Sequence, residues 1–255
     1  MSWPRIVVCL DVAGGRVVKG TRFRDLRDQG DPLELATRYA EDGADEIAFL
    51  DVDASAGATA RGTRLDWVGH VAEALTIPFS VGGGVRGWED ALRLLDAGAD
   101  RVSVGTAAVD DLGVLGAIAE RAGVQAVVLS VDARHAGPAA CVVTRRGGRD
   151  DTTRDALAFA VAGAAAGAGE ILLNVIDADG TRAGFDVPFT RRVVDAVPVP
   201  VMASGGAGAP ADFYAVLHEG GAAAALGAGM FHDGSYRVRD VKDYLRTRGL
   251  EVRPC

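Results

Sequence analysis

The sequence has few of the residues that build disulfide frameworks and metal centres. Its three cysteines, Cys9, Cys141 and Cys255, are odd in number and far apart, and none of its four histidines stands in an HxH or HxxxH pair. A disulfide framework needs paired cysteines, and a metal site needs clustered ligands. We therefore expect neither a disulfide framework nor a metal site.

Positive charge is also in deficit. The net charge at pH 7 is −8, whereas a nucleic-acid-binding surface needs an excess of lysine and arginine to displace counterions. No apolar run is long enough to span a membrane, and the first residues, MSWPRIVVCLD, lack the basic region and long apolar core of a signal peptide. The sequence predicts a cytoplasmic protein that binds neither nucleic acid nor membranes.

Short apolar runs rich in β-branched residues alternate with longer, alanine-rich amphipathic stretches. Continuously apolar strands that are each followed by a helix indicate a parallel sheet covered by helices. Because there is no linker or change of composition, we expect one α/β domain over residues 1–255, a (β/α)8 TIM barrel. Its eight predicted strands cover residues 5–11, 46–52, 78–83, 101–106, 126–132, 170–176, 200–206 and 223–228.

The two halves of the chain resemble each other. Residues 78–108 align with residues 200–230 without a gap, and CLDVAGG at 9–15 has a counterpart in SVDARHAG at 130–137. A repeat of this kind predicts a barrel built from two similar half-barrels. Asp11 and Asp132 would then face each other across the mouth, the carboxyl-terminal end of the barrel strands.

Glycine-rich loops follow four of the predicted strands. A glycine loop lets backbone N–H groups approach an anion closely, although any one such loop is more often a tight turn. Their occurrence in both halves favours two phosphate sites on opposite sides of the mouth, and hence a long substrate with two phosphates. The loops contain Gly83 and Gly84, Gly105 and Thr106, Gly205 and Gly206, and Gly227 to Gly229.

Two aspartates lie between these predicted phosphate sites. A single aspartate at the end of a strand usually caps its loop, but a symmetric pair beside an anchored substrate is suited to general acid–base catalysis. We therefore interpret Asp11 and Asp132 as the catalytic pair. Four further acids at strand ends are expected to contact substrate hydroxyl or amide groups, with 177–181 also a plausible turn: Asp51, Asp53, Asp177 and Asp179.

Several motifs occur along the chain in the same order as in a known enzyme family. CLDVAGGRVVKG, LRDQGDP, FLDVDAS, VGGGVR, LSVDAR, GAGEILLN, DADGTRAGFD and ASGGAG together resemble the cyclase subunits of imidazole glycerol phosphate synthase, from histidine biosynthesis. The resemblance covers essentially the whole chain. It implies a cofactor-free lyase in which ammonia attacks a phosphoribulosyl-formimino aminoimidazole carboxamide ribotide, giving imidazole glycerol phosphate and aminoimidazole carboxamide ribotide.

The resemblance also assigns roles to residues. Asp11 and Asp132 match the catalytic acid and base, and Lys19 matches a cation on a mobile first loop. Three positions depart from the pattern, because Gly105 replaces an asparagine, and Val175 and Gly229 each replace a serine. The predicted substrate and phosphate contacts are Lys19, Gly83, Gly84, Gly105, Thr106, Asp179, Gly180, Ser204, Gly205, Gly206, Ala228 and Gly229.

A partner is implied as well. In the family, ammonia arrives from a glutamine amidotransferase docked on the amino-terminal face of the barrel, where a ring of charges gates entry. The matching residues, Arg5, Glu46, Arg101 and Glu170, stand at strand starts, where ordinary salt bridges are the competing interpretation. We expect a heterodimer. The alternatives are a ribotide isomerase, a paralogue acting on a related ribotide or sugar, or a catalytically weak barrel serving as a partner or regulator.

Overall fold

The computed structural model describes residues 3–21, 24–52, 65–137 and 140–255, with residues 19–21 and 24–27 described by backbone only. Its strands are β1 (Arg5–Ala13), β2 (Arg16–Thr21), β3 (Arg24–Gly30), β4 (Glu46–Asp51), β5 (Phe79–Gly82), β6 (Arg101–Val104), β7 (Val127–His135), β8 (Cys141–Arg145), β9 (Asp150–Asp155), β10 (Glu170–Val175), β11 (Val201–Ser204) and β12 (Ala224–Gly227).

Eight of these strands form a closed parallel barrel. Their order around the ring is β1, β4, β5, β6, β7, β10, β11 and β12, and pairing of β12 with β1 closes the ring. These eight are the predicted strands, with ends that differ by a few residues. The predicted (β/α)8 barrel is therefore confirmed.

Four short strands were not predicted. Strands β2 and β3 form an antiparallel hairpin on β1, and β8 and β9 form a matching hairpin on β7. Strands β3 and β9 carry many charges, and β2 and β8 have only short apolar stretches, although Val17, Cys141 and Val143 are buried. The hairpins therefore lack the continuous apolar run of the barrel strands. The backbone of Lys19 lies on β2 rather than on a loop. Both hairpins extend the first strand of a half-barrel, so the repeat includes them.

Helices cover the outside of the barrel. Asp31 caps the first helix by accepting hydrogen bonds from the backbone N–H groups of Leu33 and Glu34, as Asp155 does for Ala158 in the second half. The helices are α1 (Pro32–Glu41), α2 (Leu65–Ala74), α3 (Trp88–Asp96), α4 (Thr106–Asp110), α5 (Gly113–Ala122), α6 (Ala156–Ala165), α7 (Val187–Ala196), α8 (Pro210–Tyr214), α9 (Gly229–His232) and α10 (Val238–Thr247).

Alternation along each strand divides the core into two layers. On β1, Ile6, Val8 and Leu10 pack outward against the helices, while Val7 and Cys9 pack inside the barrel. Because side chains alternate along a strand, Arg5 and Asp11 share the inner side with Val7 and Cys9. The barrel interior is thus apolar in its middle and polar at both ends. In the described part of the chain, no helix is long and apolar enough to cross a membrane.

Candidate active site

The two predicted catalytic aspartates lie at opposite sides of the barrel mouth. Asp11 is near the end of β1 and Asp132 is on β7, and three strands separate β1 from β7 in either direction around the ring. Both carboxylates are on the inner side, since Cys9 and Val128, an even number of residues before them, pack inside the barrel. The structure therefore places the pair as the repeat predicted.

The Asp132 carboxyl has an unusual environment. Loss of solvation at the barrel mouth raises its pKa to about 6, and the nearby charge of Asp179 acts in the same direction. The side-chain amide of Asn174 opposes this by donating a hydrogen bond to Oδ1 at 3.1 Å. A carboxyl with such a pKa can both give and take a proton near neutral pH, which is what general acid–base catalysis needs.

The raised pKa gives a first testable prediction. In the unfolded chain Asp132 has a pKa of about 4, which is below its pKa in the folded barrel. Ionising Asp132 at neutral pH therefore lowers the free energy of unfolding. We expect Asp132→Asn to raise the free energy of unfolding by about 2 kcal/mol at pH 8, because asparagine cannot ionise. The gain should shrink as the pH falls through about 6 and vanish below about 4. Urea denaturation at several pH values measures this, and an equal gain at pH 4 and pH 8 would contradict it.

Asp11 is enclosed by other contacts. Its side chain is buried, and the Cys9 thiol donates to Oδ1 at 3.8 Å. His232, at the end of α9, donates from Nε2 to the backbone oxygen of Cys9 at 3.1 Å and contacts the Tyr39 hydroxyl through Nδ1 at 2.7 Å. These contacts link the last βα unit to the strand that carries Asp11. They join residues far apart in the chain, so no local sequence pattern predicts them.

The glycines after β5 and β11 have left-handed backbones, with φ of +95° at Gly83 and +93° at Gly205. A Cβ at Gly83 would lie 2.1 Å from the carbonyl oxygen of Asp51, and one at Gly205 would lie 2.6 Å from that of Val175. Close packing of neighbouring strand ends is therefore sufficient to require glycine there. That these glycines also let backbone N–H groups approach an anion is a separate proposal.

Gly105 and Gly229 differ from those glycines. A Cβ at Gly105 would meet its nearest neighbour, Ser130 Cβ, at 3.6 Å, and one at Gly229 would meet the Arg182 guanidinium at 3.4 Å. Both are ordinary contacts, so the fold has room for a larger residue at either position. Beside Gly105, the Thr106 hydroxyl accepts a hydrogen bond from the backbone N–H of Arg146 at 3.1 Å.

The remaining predicted substrate residues follow strand ends at the mouth. Ser204 ends β11 in register with Asn174, and Ala228 immediately precedes α9. Residues 177–181 form a turn in which Gly180 has a φ of +73°. The Lys19 side chain and all of Asp53 lie outside the described residues.

The four predicted gate residues meet at the opposite, amino-terminal end of the barrel. Arg5 contacts Glu46 at 2.6 Å and also Glu170, while Arg101 contacts Glu46 at 3.3 Å and Glu170 at 2.6 Å. Each arginine thus bridges both glutamates in a closed ring of alternating charge. Burial raises the pKa of Glu46, and Arg101 and Arg5 offset this in part. Burial works to lower the pKa of Arg5, but the charges of Glu170 and Glu46 outweigh it and raise that pKa.

A second polar cluster lies beyond the carboxyl-terminal ends of β7 and β10. His135 Nε2 is 2.7 Å from Asp186 Oδ2, and His135 Nδ1 is 3.5 Å from the Cys141 sulfur, beside a cavity of about 750 Å³. Burial and the charge of Asp186 raise the pKa of the Cys141 thiol to about 11. The thiol is therefore protonated at neutral pH, and the arrangement is not that of an activated cysteine nucleophile.

The closed parallel barrel, its two-fold repeat and the polar residues at both ends define a (β/α)8 barrel protein built from two half-barrels. Residues 5–237 match the model of the histidine biosynthesis protein family. The chain belongs to that family.

Three relatives within the family have the same name. The chain is 51% identical over 253 residues to a protein of Metallosphaera sedula, across 99% of this chain and 100% of the relative. It is 54% identical over 249 residues to one from Myxococcus xanthus, across 98% of this chain and 97% of the relative. A Nocardia farcinica protein is 52% identical over 255 residues, across 98% of each chain. All three are named imidazole glycerol phosphate synthase subunit HisF.

Proposed function

We propose that this chain is the cyclase subunit of an imidazole glycerol phosphate synthase. It uses ammonia to convert the phosphoribulosyl-formimino aminoimidazole carboxamide ribotide to imidazole glycerol phosphate and aminoimidazole carboxamide ribotide. The observation that carries the proposal is the pair of inward carboxylates, Asp11 and Asp132, on opposed strands of a barrel with HisF relatives.

Protons must move in each part of this reaction. The ammonia nitrogen loses protons as it replaces the ketone oxygen of the ribulosyl part, which leaves as water, and enters the imidazole ring. The departing amine of the carboxamide ribotide gains a proton. Asp11 and Asp132 serve as the two groups that exchange these protons, from opposite sides of the bound substrate. Asn174 holds the Asp132 carboxyl in place through its hydrogen bond to Oδ1.

The substrate is held at its two phosphate ends. One phosphate binds at the loops after β5 and β6, which contain Gly83, Gly84, Gly105 and Thr106. The other binds at the loops after β11 and β12, which contain Ser204, Gly205, Gly206, Ala228 and Gly229. Asp179, Gly180 and Lys19 contact the substrate between them. Anchoring both ends lowers the entropy cost of bringing the reacting atoms between the aspartates.

Two bound phosphates are the expected result of soaking crystals in inorganic phosphate. One ion should lie at the β5 and β6 loops and the other at the β11 and β12 loops. Sulfate, of similar shape, serves as a comparison ion. An electron-density map with one ion, or with none at these loops, would contradict the two-phosphate proposal.

The ammonia comes from a partner. The relatives are named as subunits of a synthase, and we infer a glutaminase subunit on the amino-terminal face, where it forms a heterodimer with this chain. The ring of Arg5, Glu46, Arg101 and Glu170 then lies between the partner and the barrel interior. In this arrangement ammonia passes when one ion pair of the ring opens.

Purified protein tests the function directly. With the ribotide and ammonium salts, we expect loss of ribotide absorbance and equal formation of both products. With a glutaminase subunit present, glutamine should replace the ammonium salt. A folded protein that leaves the ribotide unchanged under saturating ammonium would disprove the proposed reaction.

A further inference from the structure

Arg182 has an uncommon backbone conformation. Among the described residues other than glycine, only Arg146 and Arg182 have positive φ, of +54° and +57°. Residues with a Cβ rarely adopt this conformation, and exceptions concentrate at functional sites. The Arg146 side chain pairs with Asp150 in its own hairpin. The Arg182 side chain instead reaches another part of the barrel.

Arg182 contacts both loops of the second proposed phosphate site. Its backbone packs on the loop after β11, where a Cβ at Gly208 would lie 2.4 Å from the Arg182 carbonyl oxygen. Its guanidinium lies beside the loop after β12, with Nη2 3.4 Å from the position of a Cβ on Gly229. Arg182 therefore touches one loop with its backbone and brings its positive charge to the other.

The guanidinium is held in position by Asp233. Nη2 of Arg182 pairs with the Asp233 carboxylate, which in turn accepts hydrogen bonds from the backbone N–H of Ser235 at 2.9 Å and from its hydroxyl at 2.6 Å. Within the described residues this is the one hydrogen bond of the guanidinium, which has five N–H donors. Arginine matches the geometry of phosphate oxygens with several of those donors at once.

We propose that Arg182 binds the substrate phosphate at the β11 and β12 loops, in place of the hydroxyl that Gly229 lacks. The inference rests on the proposed function, because that function supplies the phosphate. A structural ion pair is the competing explanation. Both side chains of that pair are more than 40% exposed, at 46% and 42%, and exposed pairs contribute little to stability. Stability alone therefore gives no reason for the left-handed backbone.

Arg182→Gln removes the charge and keeps much of the side-chain length. We expect the KM for the ribotide to rise about 10- to 100-fold while kcat changes less than about threefold, since the lost contact binds substrate and transition state alike. Arg182→Lys should give an intermediate KM. Arg191→Gln, which removes an exposed arginine paired with Asp195 on α7, is the matched control and should leave KM unchanged.

Titration with inorganic phosphate separates this inference from the proposed reaction, because it requires no turnover. Followed by NMR, Arg182→Gln should weaken one of two phosphate sites about tenfold or more and leave the other unchanged. Adding Gly229→Ser to Arg182→Gln should recover part of the lost affinity. Thermal unfolding confirms that each variant is folded. Unchanged phosphate affinity at both sites in folded Arg182→Gln, or no recovery with Gly229→Ser, would overturn the inference.

Discussion

Asp11→Asn should lower ammonium-driven turnover by about 10²- to 10⁴-fold, because asparagine cannot exchange a proton at neutral pH. The substitution preserves size and a hydrogen-bond acceptor for the Cys9 thiol, so the barrel should fold normally. The ribotide should still bind through its phosphates. Steady-state kinetics with saturating ammonium salts, together with equilibrium binding of the ribotide, measure the two effects separately.

A helix cap provides the matched control for Asp11→Asn. Asp155 caps α6 by accepting from the backbone N–H of Ala158 at 2.8 Å, and asparagine caps helices about as well as aspartate. Asp155→Asn should therefore leave turnover and stability nearly unchanged. If Asp11→Asn behaves like Asp155→Asn, Asp11 only caps its loop and the acid–base proposal is wrong. Asp132→Asn should lose turnover as Asp11→Asn does.

Arg5→Ala should have the second large effect. Removing Arg5 leaves Glu46 and Glu170 sharing Arg101 alone, so we expect the free energy of unfolding to fall by about 3 kcal/mol. If the ring is a gate, glutamine-driven turnover with the partner should also change, whereas turnover with added ammonium salts should change less. Urea denaturation and the two turnover assays measure these effects.

Arg5→Lys distinguishes a gate from a simple source of stability. Lysine keeps the positive charge but cannot bridge both glutamates with the fork of a guanidinium. We expect it to retain most of the stability and still alter glutamine-driven turnover. Equal fractional losses in the glutamine and ammonium assays for both variants would indicate destabilisation without gating.

The barrel could be predicted because its strands have simple sequence patterns. Runs such as RIVVCLD are apolar on both faces, which is the pattern of a strand buried between a barrel interior and a helix layer. The repeat added the opposed placement of Asp11 and Asp132, and the strand starts added the charged ring. The buried strands, the paired aspartates and the charged ring can each be predicted from where a residue stands within its strand, and that position can be read from the sequence.

Other features depend on contacts between distant segments. The pKa of Asp132 results from loss of solvation, from the Asn174 hydrogen bond and from the charge of Asp179, and no local pattern encodes that combination. Strands β3 and β9 are polar, and the apolar stretches of β2 and β8 are too short to mark the hairpins as strands. The position of Arg182 against Gly208 and Gly229 likewise requires the folded loops.

The steric role of the mouth glycines affects how evolution can be read in barrels like this one. A descendant that no longer bound phosphate would still be selected to keep Gly83 and Gly205, because a Cβ at either would collide with the carbonyl oxygen of a neighbouring strand end. Gly105 and Gly229 have room for larger residues, so mutations can accumulate there without loss of the fold. A change of substrate during divergence should therefore appear as substitutions at positions 105 and 229. Conservation of Gly83 and Gly205 would indicate a shared fold and would say nothing about activity.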